Sequence, residues 1–289
     1  METIEKLITD EWGLKDVTIN QSLQNFDNRS VLKLHTSQGY FVCKITKADI
    51  SHQEFAKRTS IFSFLRNKNF AHAPIIINTK SGNTFYQKDN KFIVLMEFIE
   101  GKEPAPSQNN YIQLGTILAS LNNFNDFSYP ALISVNAIRP YFQGLSEKLP
   151  NNIQAHYLQL AKKIPDIDAL PHSLIHFEAS LKNTVQKPDG TIIIIDWDEA
   201  GMASTILDPG YHLINYFVSE DLKFDINSCK AFYASYLAKH SLSNIEIEQL
   251  FNASLFHALR YIVWGDTQKR WTRILWALEN RDLLLSALR

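Results

Sequence analysis

The sequence predicts an α+β fold in two parts, a small antiparallel sheet that carries one helix and a larger, mostly helical part. Three observations support this prediction. Apolar and polar residues alternate over much of the first 100 residues, as is typical of strands. Apolar residues at helical spacing predominate after that point. Within the helical part, a run of isoleucines follows a Lys-Pro-Asp-Gly turn at 187–190, which predicts a β-hairpin.

The first part contains several strand patterns and one helix pattern. Residues 30–35 and 39–45 alternate on either side of a short turn and predict paired strands. Residues 51–67 predict a helix, since large apolar residues recur near helical spacing and Ser51 can act as the N-cap. Further strands are predicted at 74–78, 83–88 and 91–99, separated by Ser-Gly and Asp-Asn turns.

Glycine and proline mark a boundary close to residue 100. The segment 100–107 reads Glu-Gly-Lys-Glu-Pro-Ala-Pro-Ser, a composition that ends strands and favours loops. We therefore predict two domains, an N-terminal lobe at 1–100 and a helical C-terminal lobe at 101–289. The C-terminal lobe is predicted to hold helices at 111–121 and 137–163, a hairpin at 174–195, and helices to the end of the chain. A cleft between two domains is a common place for a small-molecule site.

The composition indicates a folded globular protein. The chain has 289 residues, of which 45% are hydrophobic and 20% are charged, so it can bury a substantial core. Its 29 basic and 30 acidic residues give a formal net charge of −1, which provides no overall field to attract nucleic acid or an anionic membrane. The two cysteines, Cys43 and Cys229, do not suggest a disulfide framework. With no signal peptide or membrane-spanning segment recognised, we expect a cytoplasmic protein. The oligomeric state is left open.

The segment 172–208 has the most specific spacing of polar residues. Four residues separate Glu178 from Asn183, and Asp196 follows four consecutive isoleucines. Kinase catalytic loops place a proton-accepting carboxylate and a metal-binding asparagine at this spacing, with a further metal-binding aspartate beyond the next hairpin. Carboxylate and carboxamide oxygens are ligands that suit Mg²⁺. The pattern therefore predicts phosphoryl transfer with ATP and Mg²⁺ as cofactors.

Several motifs are shared with one known family. Residues 176–183 read His-Phe-Glu-Ala-Ser-Leu-Lys-Asn, residues 195–198 read Ile-Asp-Trp-Asp, and residues 95–101 read Leu-Met-Glu-Phe-Ile-Glu-Gly. These segments resemble the catalytic loop, metal motif and linker of the aminoglycoside phosphotransferase and choline kinase family, whose fold is similar to that of protein kinases. Asp208 resembles a later aspartate of the same family. The resemblance extends over nearly the whole chain and implies a protein-kinase-like two-lobe fold.

The resemblance also implies a role for individual residues. Glu178 is expected to orient the acceptor hydroxyl and accept its proton, and Asn183 and Asp196 are expected to bind Mg²⁺. Lys44 is expected to contact the nucleotide phosphates, with Glu54 as the ion-pair partner that positions it. These roles describe a small-molecule kinase, which transfers a phosphoryl group to an alcohol.

The N-terminal lobe is accordingly expected to bind the nucleotide. The backbone of Glu97, Phe98 and Ile99 is expected to meet the adenine edge. Apolar walls of the adenine pocket are expected from Val42, Val185 and Ile195. Residues 25–30 occupy the place of the phosphate-covering loop but contain no glycine, so a different turn geometry must approach the phosphates.

Two departures from the family pattern concern the catalytic loop. Glu178 stands where the family has aspartate, and Phe177 stands where it has glycine. A displacement of ~1 Å can cost ~100-fold in rate when reacting atoms must be aligned, so activity weakened by this exchange is one expectation. The alternative function is a nucleotide-binding pseudokinase with a regulatory or scaffolding role. A protein kinase is less favoured, since no activation segment ending in Ala-Pro-Glu is recognised.

Structural explanations compete with these roles. Lys44 and Glu54 alone would more commonly form an ordinary surface ion pair. Asp208 is expected to brace the catalytic loop through hydrogen bonds rather than to bind metal. A zinc site is disfavoured, because the two histidines at 172 and 176 would stand ~13 Å apart on a strand. His257, Tyr261 and Trp264 share a helical face, for which core packing is favoured over acceptor binding.

Overall fold

The structure is a computed structural model that describes residues 3–131 and 134–288. It divides into two compact units. The first comprises Met1–Lys102 and Val185–Ile195, and the second comprises Glu103–Thr184 and Asp196–Arg289. The segment 185–195, which the sequence analysis assigns to the C-terminal lobe, thus groups with the first unit. Met1, Glu2 and Arg289, at the ends of the predicted domains, lie outside the described residues.

The first unit is built on an antiparallel sheet. Its elements are α1 (Ile4–Trp12), β1 (Thr18–Phe26), β2 (Arg29–Thr36), β3 (Gly39–Lys47), α2 (His52–Asn67), β4 (Ile76–Ile77), β5 (Tyr86–Lys88) and β6 (Lys91–Glu97). The strand order is β1-β2-β3-β6-β4, with β5 also paired to β6. Consecutive strands β1, β2 and β3 are joined by short turns, which fixes their antiparallel pairing.

The two helices of this unit pack on opposite faces of the sheet. Ile8 and Trp12 of α1 join Cys43 and Leu95 in one buried cluster. Phe55 of α2 joins another cluster on the other face, which includes Phe92 and Val94 of β6. Alternate residues of each strand therefore contribute to different clusters, as the twofold repeat of a strand requires.

The remainder of the chain is mostly helical. In order, it forms α3 (Gln108–Leu121), α4 (Val135–Ser146), α5 (Asn151–Lys163), β7 (His172–Ile175), β8 (Thr184–Gln186), β9 (Ile192–Ile194), β10 (Gly201–Ser204), α6 (Leu207–Asn215), α7 (Ile226–Leu237), α8 (Asn244–Arg260), α9 (Thr267–Glu279) and α10 (Arg281–Ser286). Short 3₁₀ turns lie at Ile167–Ala169 and Leu181–Asn183. β8 pairs with β9, and β7 pairs antiparallel with β10. The predicted α+β class is confirmed.

Close helix packing forms the core of the second unit. A Cβ atom at Gly115 of α3 would lie 2.4 Å from Ser235 Oγ and 2.5 Å from Phe232 O of α7. Only glycine therefore allows α3 and α7 to approach this closely. Helix α8 begins with a capping box, in which Ser243 and Glu246 each bond the other's backbone amide. The fixed start of α8 sets the direction of its far end, at Arg260.

Three elements differ from the sequence predictions. Helix α1 is not predicted, since it has only nine residues and depends on packing against the sheet. Strand β1 is not predicted either, because its residues are mainly polar and all nine are exposed at the sheet edge. The stretch predicted to be helical at 137–163 is interrupted, as α4 ends at Ser146 and α5 begins after Pro150. Proline disfavours helical backbone in the residue before it, which separates the two helices.

No helix in the described ranges combines the length and the apolar character that crossing a bilayer requires.

Candidate active site

The catalytic loop predicted by the sequence follows β7 in the second unit. β7 ends at Ile175, and the loop continues through Glu178 to a 3₁₀ turn that ends at Asn183. β7 is held by pairing with β10, where Ile175 lies opposite Gly201. Asp196 follows β9 by two residues and is the first residue of the second unit after the hairpin. The second unit therefore contains all three residues that the sequence predicts for base and metal chemistry.

Asp208 braces the predicted catalytic loop through hydrogen bonds to its backbone. It is 1% exposed, and its two carboxylate oxygens accept hydrogen bonds from the backbone amides of His176 at 3.0 Å and Phe177 at 2.7 Å. The Asn122 side chain donates a third bond at 2.9 Å and itself accepts from the Tyr236 hydroxyl. Burial raises the pKa of Asp208 to about 6, although these three donors oppose the increase. The bracing role expected of Asp208 agrees with this geometry.

Phe177 adopts an unusual backbone conformation for a large side chain. Its φ is 79°, in the left-handed region that favours glycine. The ring is fully buried and lies 4.8 Å from the His257 ring and 6.2 Å from the Phe256 ring. The loop thus keeps the backbone geometry that suits the family's glycine, while burial of the phenyl ring offsets the strain.

The Glu178 carboxylate is held by two side chains from the end of α8. Oε1 accepts from Arg260 Nη1 at 3.2 Å and from the Tyr261 hydroxyl. Burial and the neighbouring Glu199 carboxylate raise the pKa of Glu178 to about 8, whereas the Arg260 charge opposes this increase. Asp196 also raises this pKa through its charge. Glu178 therefore lies in an electrostatic environment that favours proton uptake near neutral pH.

Arg260 connects Glu178 to a second carboxylate. Its Nη2 donates to Glu199 Oε1 at 2.5 Å, and its Nη1 also donates to the Tyr261 hydroxyl. The guanidinium carbon lies 4.9 Å from the Phe177 ring centre. Sequence reasoning missed Arg260 and Glu199. The shared helical face of His257 and Tyr261 was the one signal that pointed to this part of the chain.

The Asn183 side chain is hydrogen-bonded to the backbone of Glu178. Its amide nitrogen donates to the carbonyl oxygen of Glu178 at 2.9 Å. This bond closes the loop on itself. Asp196 has a φ of 64°, again in the left-handed region. Of the two residues that the sequence predicts for metal binding, Asn183 thus has a side chain held by a hydrogen bond, and Asp196 has a left-handed backbone conformation.

The donor set fits a magnesium ion that also binds phosphate and water. Asn183 and Asp196 offer oxygen ligands, which Mg²⁺ prefers, and Mg²⁺ commonly takes only one or two protein carboxylates. Among the described residues, no group of three His, Cys, Asp or Glu side chains is arranged to hold a metal. The set thus fits an ion completed by a substrate, rather than a closed protein cage.

In the first unit, Lys44 lies in the middle of β3. Its cross-strand neighbours are Val31 and Val94. Because directly opposed residues of paired strands share a face, Lys44 lies on the same face as Val94, against which α2 packs. Val42 lies two residues earlier, on the same face. Glu54 is in the first turn of α2, and its carboxylate is 3.7 Å from Arg58. The predicted pair of Lys44 with Glu54 stays a prediction.

The predicted adenine-contacting segment begins at Glu97, the last residue of β6. The Glu97 amide donates to Ile75 O at 2.9 Å, and the Phe98 amide donates to Tyr40 O at 3.4 Å. Both bonds fix the segment to the sheet, so its backbone position is set by neighbouring strands. Ile99 follows as a half-buried residue. The contact of this backbone with adenine stays a prediction.

Val185 and Ile195 lie in the β8–β9 hairpin segment, which belongs to the first unit. Val185 lies in β8, one of its methyl groups close to Gly101, and Ile195 directly follows β9. Both side chains are half-buried. The hairpin is tied to the sheet side of the unit, since Ile194 N donates to His72 O at 2.8 Å.

The segment predicted to cover the phosphates is a tight hairpin between β1 and β2. Lys47 donates through its amide to Asn28 O at 2.7 Å and through its ammonium to Asp27 O at 3.2 Å. The Ser30 hydroxyl donates to Asn25 Oδ1 at 3.0 Å. Side-chain and backbone bonds thus close this turn without glycine, which is the different geometry that the sequence requires.

A comparison with models of known protein families identifies the family of this chain. A model of the phosphotransferase enzyme family matches residues 18–241. The chain belongs to this phosphotransferase family. The family resemblance inferred from the catalytic loop, the metal motif and the linker is confirmed, as is the protein-kinase-like fold. A search of curated protein sequences gives no match.

Solved structures with the family's fold cover almost the whole chain. An amicoumacin kinase in complex with AMP-PNP and Ca²⁺ has a TM-score of 0.73 at 13% identity and covers 96% of this chain and 92% of its own. A spectinomycin phosphotransferase in complex with ADP and spectinomycin has a TM-score of 0.63 at 17% identity, covering 99% and 96%. A microcompartment-associated aminopropanol kinase has a TM-score of 0.63 at 16% identity, covering 99% and 98%. At these identities the likeness shows a common fold.

Two residues of the predicted catalytic loop, Phe177 and Glu178, depart from the family pattern that the sequence resembles. The backbone at Phe177 has the left-handed conformation expected where the family has glycine. Glu178, which the sequence resemblance matches to the family's aspartate, has a carboxylate that accepts hydrogen bonds from Arg260 and Tyr261. The roles of the individual site residues stay predictions.

Proposed function

We propose that this protein transfers the γ-phosphoryl group of ATP to a hydroxyl group of a small molecule. The observation that carries the proposal is the arrangement around Glu178. Asn183 bonds its backbone carbonyl at 2.9 Å, and the charge of Asp196 acts on its carboxylate. These contacts support the proposal, because phosphoryl transfer requires the predicted base and the two predicted Mg²⁺ ligands to lie near one another.

Each residue has a defined part in the proposed reaction. Glu178 would orient the acceptor hydroxyl and take its proton as the oxygen attacks phosphorus. A carboxylate whose pKa is raised towards neutrality is well suited to this step, because the best general bases titrate near the working pH. Asn183 and Asp196 would hold Mg²⁺, which supplies charge neutralisation to the phosphates when bound.

The first unit would supply the nucleotide contacts. Lys44 lies on the α2 face of the sheet, where its ammonium would bind phosphate oxygens and Glu54 would position it. The backbone of Glu97, Phe98 and Ile99 would meet the adenine edge. Val42, Val185 and Ile195 would form its apolar walls.

The acceptor is proposed to be a small metabolite or antibiotic that carries a hydroxyl group. Structural relatives include kinases of aminopropanol, amicoumacin and spectinomycin, all small molecules. A formal net charge of −1 does not favour a polycationic antibiotic. A cytoplasmic location, where ATP and magnesium are available, fits the proposal.

A screen of hydroxyl-bearing acceptors with ATP and Mg²⁺ tests this function. ADP formation that depends on acceptor and Mg²⁺ is expected. Asp196→Ala should lower kcat by about 100-fold or more, because one preorganised charge at the phosphoryl group is lost. The exposed Asp189, in the turn of the hairpin, provides a matched control as Asp189→Ala, which should retain activity. Equal activity of wild type and Asp196→Ala would contradict the proposal.

The second candidate is a nucleotide-binding pseudokinase with a regulatory or scaffolding role. The ion pair between Glu178 and Arg260 favours it, since a carboxylate engaged by a guanidinium is less available to a substrate proton. This function predicts a rise in melting temperature with ATP and Mg²⁺, because a ligand that binds the folded state stabilises it. Binding without turnover across the acceptor screen would favour the pseudokinase, whereas acceptor-dependent turnover would reject it.

A further inference from the structure

Arg260 is a charged residue that is almost completely enclosed. Its side chain is 11% exposed. The guanidinium contacts two carboxylates, Glu178 at 3.2 Å and Glu199 at 2.5 Å. It also lies over two aromatic rings, with its central carbon 4.9 Å from the Phe177 ring centre and 4.8 Å from that of Tyr261. A planar guanidinium can make such ionic and stacking contacts together, whereas an ammonium cannot.

These contacts involve both positions at which the chain departs from its family. Phe177 replaces glycine and provides a ring beneath the guanidinium. Glu178 replaces aspartate and accepts a hydrogen bond from the same guanidinium. Arg260 therefore contacts both exchanged residues, although it lies more than 80 positions further along the chain. The two exchanges and Arg260 form one structural group.

The longer glutamate needs this support. Glutamate has one more rotatable bond than aspartate, and its carboxylate has more positions available to it. In the structure, Glu178 Oε1 receives bonds from Arg260 and from the Tyr261 hydroxyl, to which Arg260 Nη1 also donates. These donors restrict the carboxylate to one position. Glu199 in turn balances the second nitrogen of Arg260.

We propose that Arg260 is a positioning residue for Glu178, and that Phe177 and Glu199 hold Arg260 in place. Arg260 compensates for the longer side chain by fixing the carboxylate at the acceptor hydroxyl. The proposal rests on the proposed function in one respect, that Glu178 is the base. It goes beyond that function by explaining why glutamate and phenylalanine occur together at these positions.

The first test measures kcat and KM separately. Arg260→Met keeps an unbranched side chain but removes the donors, and should lower kcat by about 100-fold, since misplacement by ~1 Å has this effect. KM for ATP should stay within about twofold, because Lys44 and the adenine segment are unchanged. Arg260→Lys should recover only part of kcat, as lysine lacks the planar fork. A full recovery by lysine, or an unchanged kcat in Arg260→Met, would overturn the proposal.

Arg273 provides a matched control in the same unit. Like Arg260 it is only partly exposed, and it donates to the carbonyl oxygens of Asn215 and Val218 rather than to a carboxylate. Arg273→Met should lower the melting temperature without a change in kcat at temperatures where it is folded. A comparable loss of kcat in this variant would mean that the Arg260 effect is a general consequence of losing a buried arginine.

The second test changes the catalytic loop to the family pattern. In the double variant Phe177→Gly and Glu178→Asp, the shorter base has no need of Arg260, and adding Arg260→Met should cost less than about threefold in kcat. The same comparison in a Glu178→Gln background keeps the test valid should the double variant not fold. There, Arg260→Met should cause no further loss, because residues that act as a unit are not additive. Equal losses from Arg260→Met in the native and altered backgrounds would reject positioning.

A third measurement does not depend on turnover. Urea unfolding is measured for wild type, for Arg260→Met, for Glu178→Gln and for the variant that combines these two substitutions. The four free energies of unfolding give the coupling between the two side chains. A coupling of at least about fivefold in the unfolding equilibrium constant is expected, and additive effects would overturn the proposal. A wild-type protein that shows this coupling but no turnover with any acceptor would instead reject the proposed function, so the two failures are distinguishable.

Discussion

Asp208 is a buried carboxylate whose ionisation should lower the stability of the protein. It is 1% exposed, and it accepts hydrogen bonds from two backbone amides of the catalytic loop and from the Asn122 side chain. Asp208→Asn keeps the size of the side chain but removes the titratable group. It also places an amide nitrogen, which donates, against groups that donate themselves. The substitution therefore separates the cost of the charge from the function of the acceptor.

The magnitude follows from the pKa of Asp208. Burial raises this pKa from 3.8 to about 6, and each pKa unit corresponds to about 1.4 kcal/mol. Between these values the folded protein binds more protons than the unfolded chain, so the free energy of unfolding falls as pH rises through the folded-state pKa. From pH 4 to pH 7, ionisation of Asp208 should thus remove about 2 to 3 kcal/mol of stability. In Asp208→Asn, residue 208 does not ionise, so it should contribute no loss of stability over the same pH change.

Urea unfolding of both proteins at several pH values between 4 and 7 measures this effect. Titration of Glu178 and of other groups common to both proteins largely cancels in the difference between them. That difference should shift towards the variant by about 2 to 3 kcal/mol as pH rises. The kcat of the variant should fall, because asparagine keeps only one acceptor oxygen and one of the two backbone amides, of His176 or of Phe177, loses its acceptor. A difference that is independent of pH, or that shifts towards wild type, would refute the reasoning.

Further predictions concern thiols and glycines. Burial raises the pKa of Cys43 to about 12 and also raises the pKa of Cys229. Because the thiolate is the nucleophile, neither cysteine should react with Ellman's reagent until the protein unfolds. Labelling of the native protein at the rate of a free thiol would contradict this prediction. Gly144→Ala should raise the free energy of unfolding by about 0.5–1 kcal/mol, since its helix position has open space for a Cβ. Gly101→Ala should lower it, because its Cβ would lie 2.3 Å from Gln186 O. Chemical denaturation checks both glycine variants, and a stabilising Gly101→Ala would be the contrary result.

The parts of the site that sequence predicted are those that local chain geometry creates. Glu178 and Asn183 are five positions apart, and one turn of chain brings the Asn183 amide to the Glu178 carbonyl. Lys44 lies between the buried Cys43 and the half-buried Ile45 on a strand, so its position on the opposite face of the sheet also follows from a local repeat. Such relations are encoded by spacing, which is why they can be predicted from the residues alone.

The partners of these residues could not be predicted in the same way. Arg260 and Tyr261 lie at the end of α8, and they reach Glu178 only because α8 packs against α6 and its neighbours. Phe177 was an indication in the sequence, since a phenylalanine at a position where glycine is expected needs other groups to pack against its ring. The sequence did not indicate that the covering group is a guanidinium.

Two levels of information therefore describe this protein. The order and spacing of residues determined the α+β class and the family, and they predict which oxygen-bearing side chains serve the proposed phosphoryl transfer, because strands, turns and motif spacings depend on neighbours in the chain. Tertiary structure alone decided the electrostatic environment of Glu178. Charges act through space, and the burial, the Glu199 carboxylate and the Arg260 guanidinium that set its pKa meet there only when distant segments pack together.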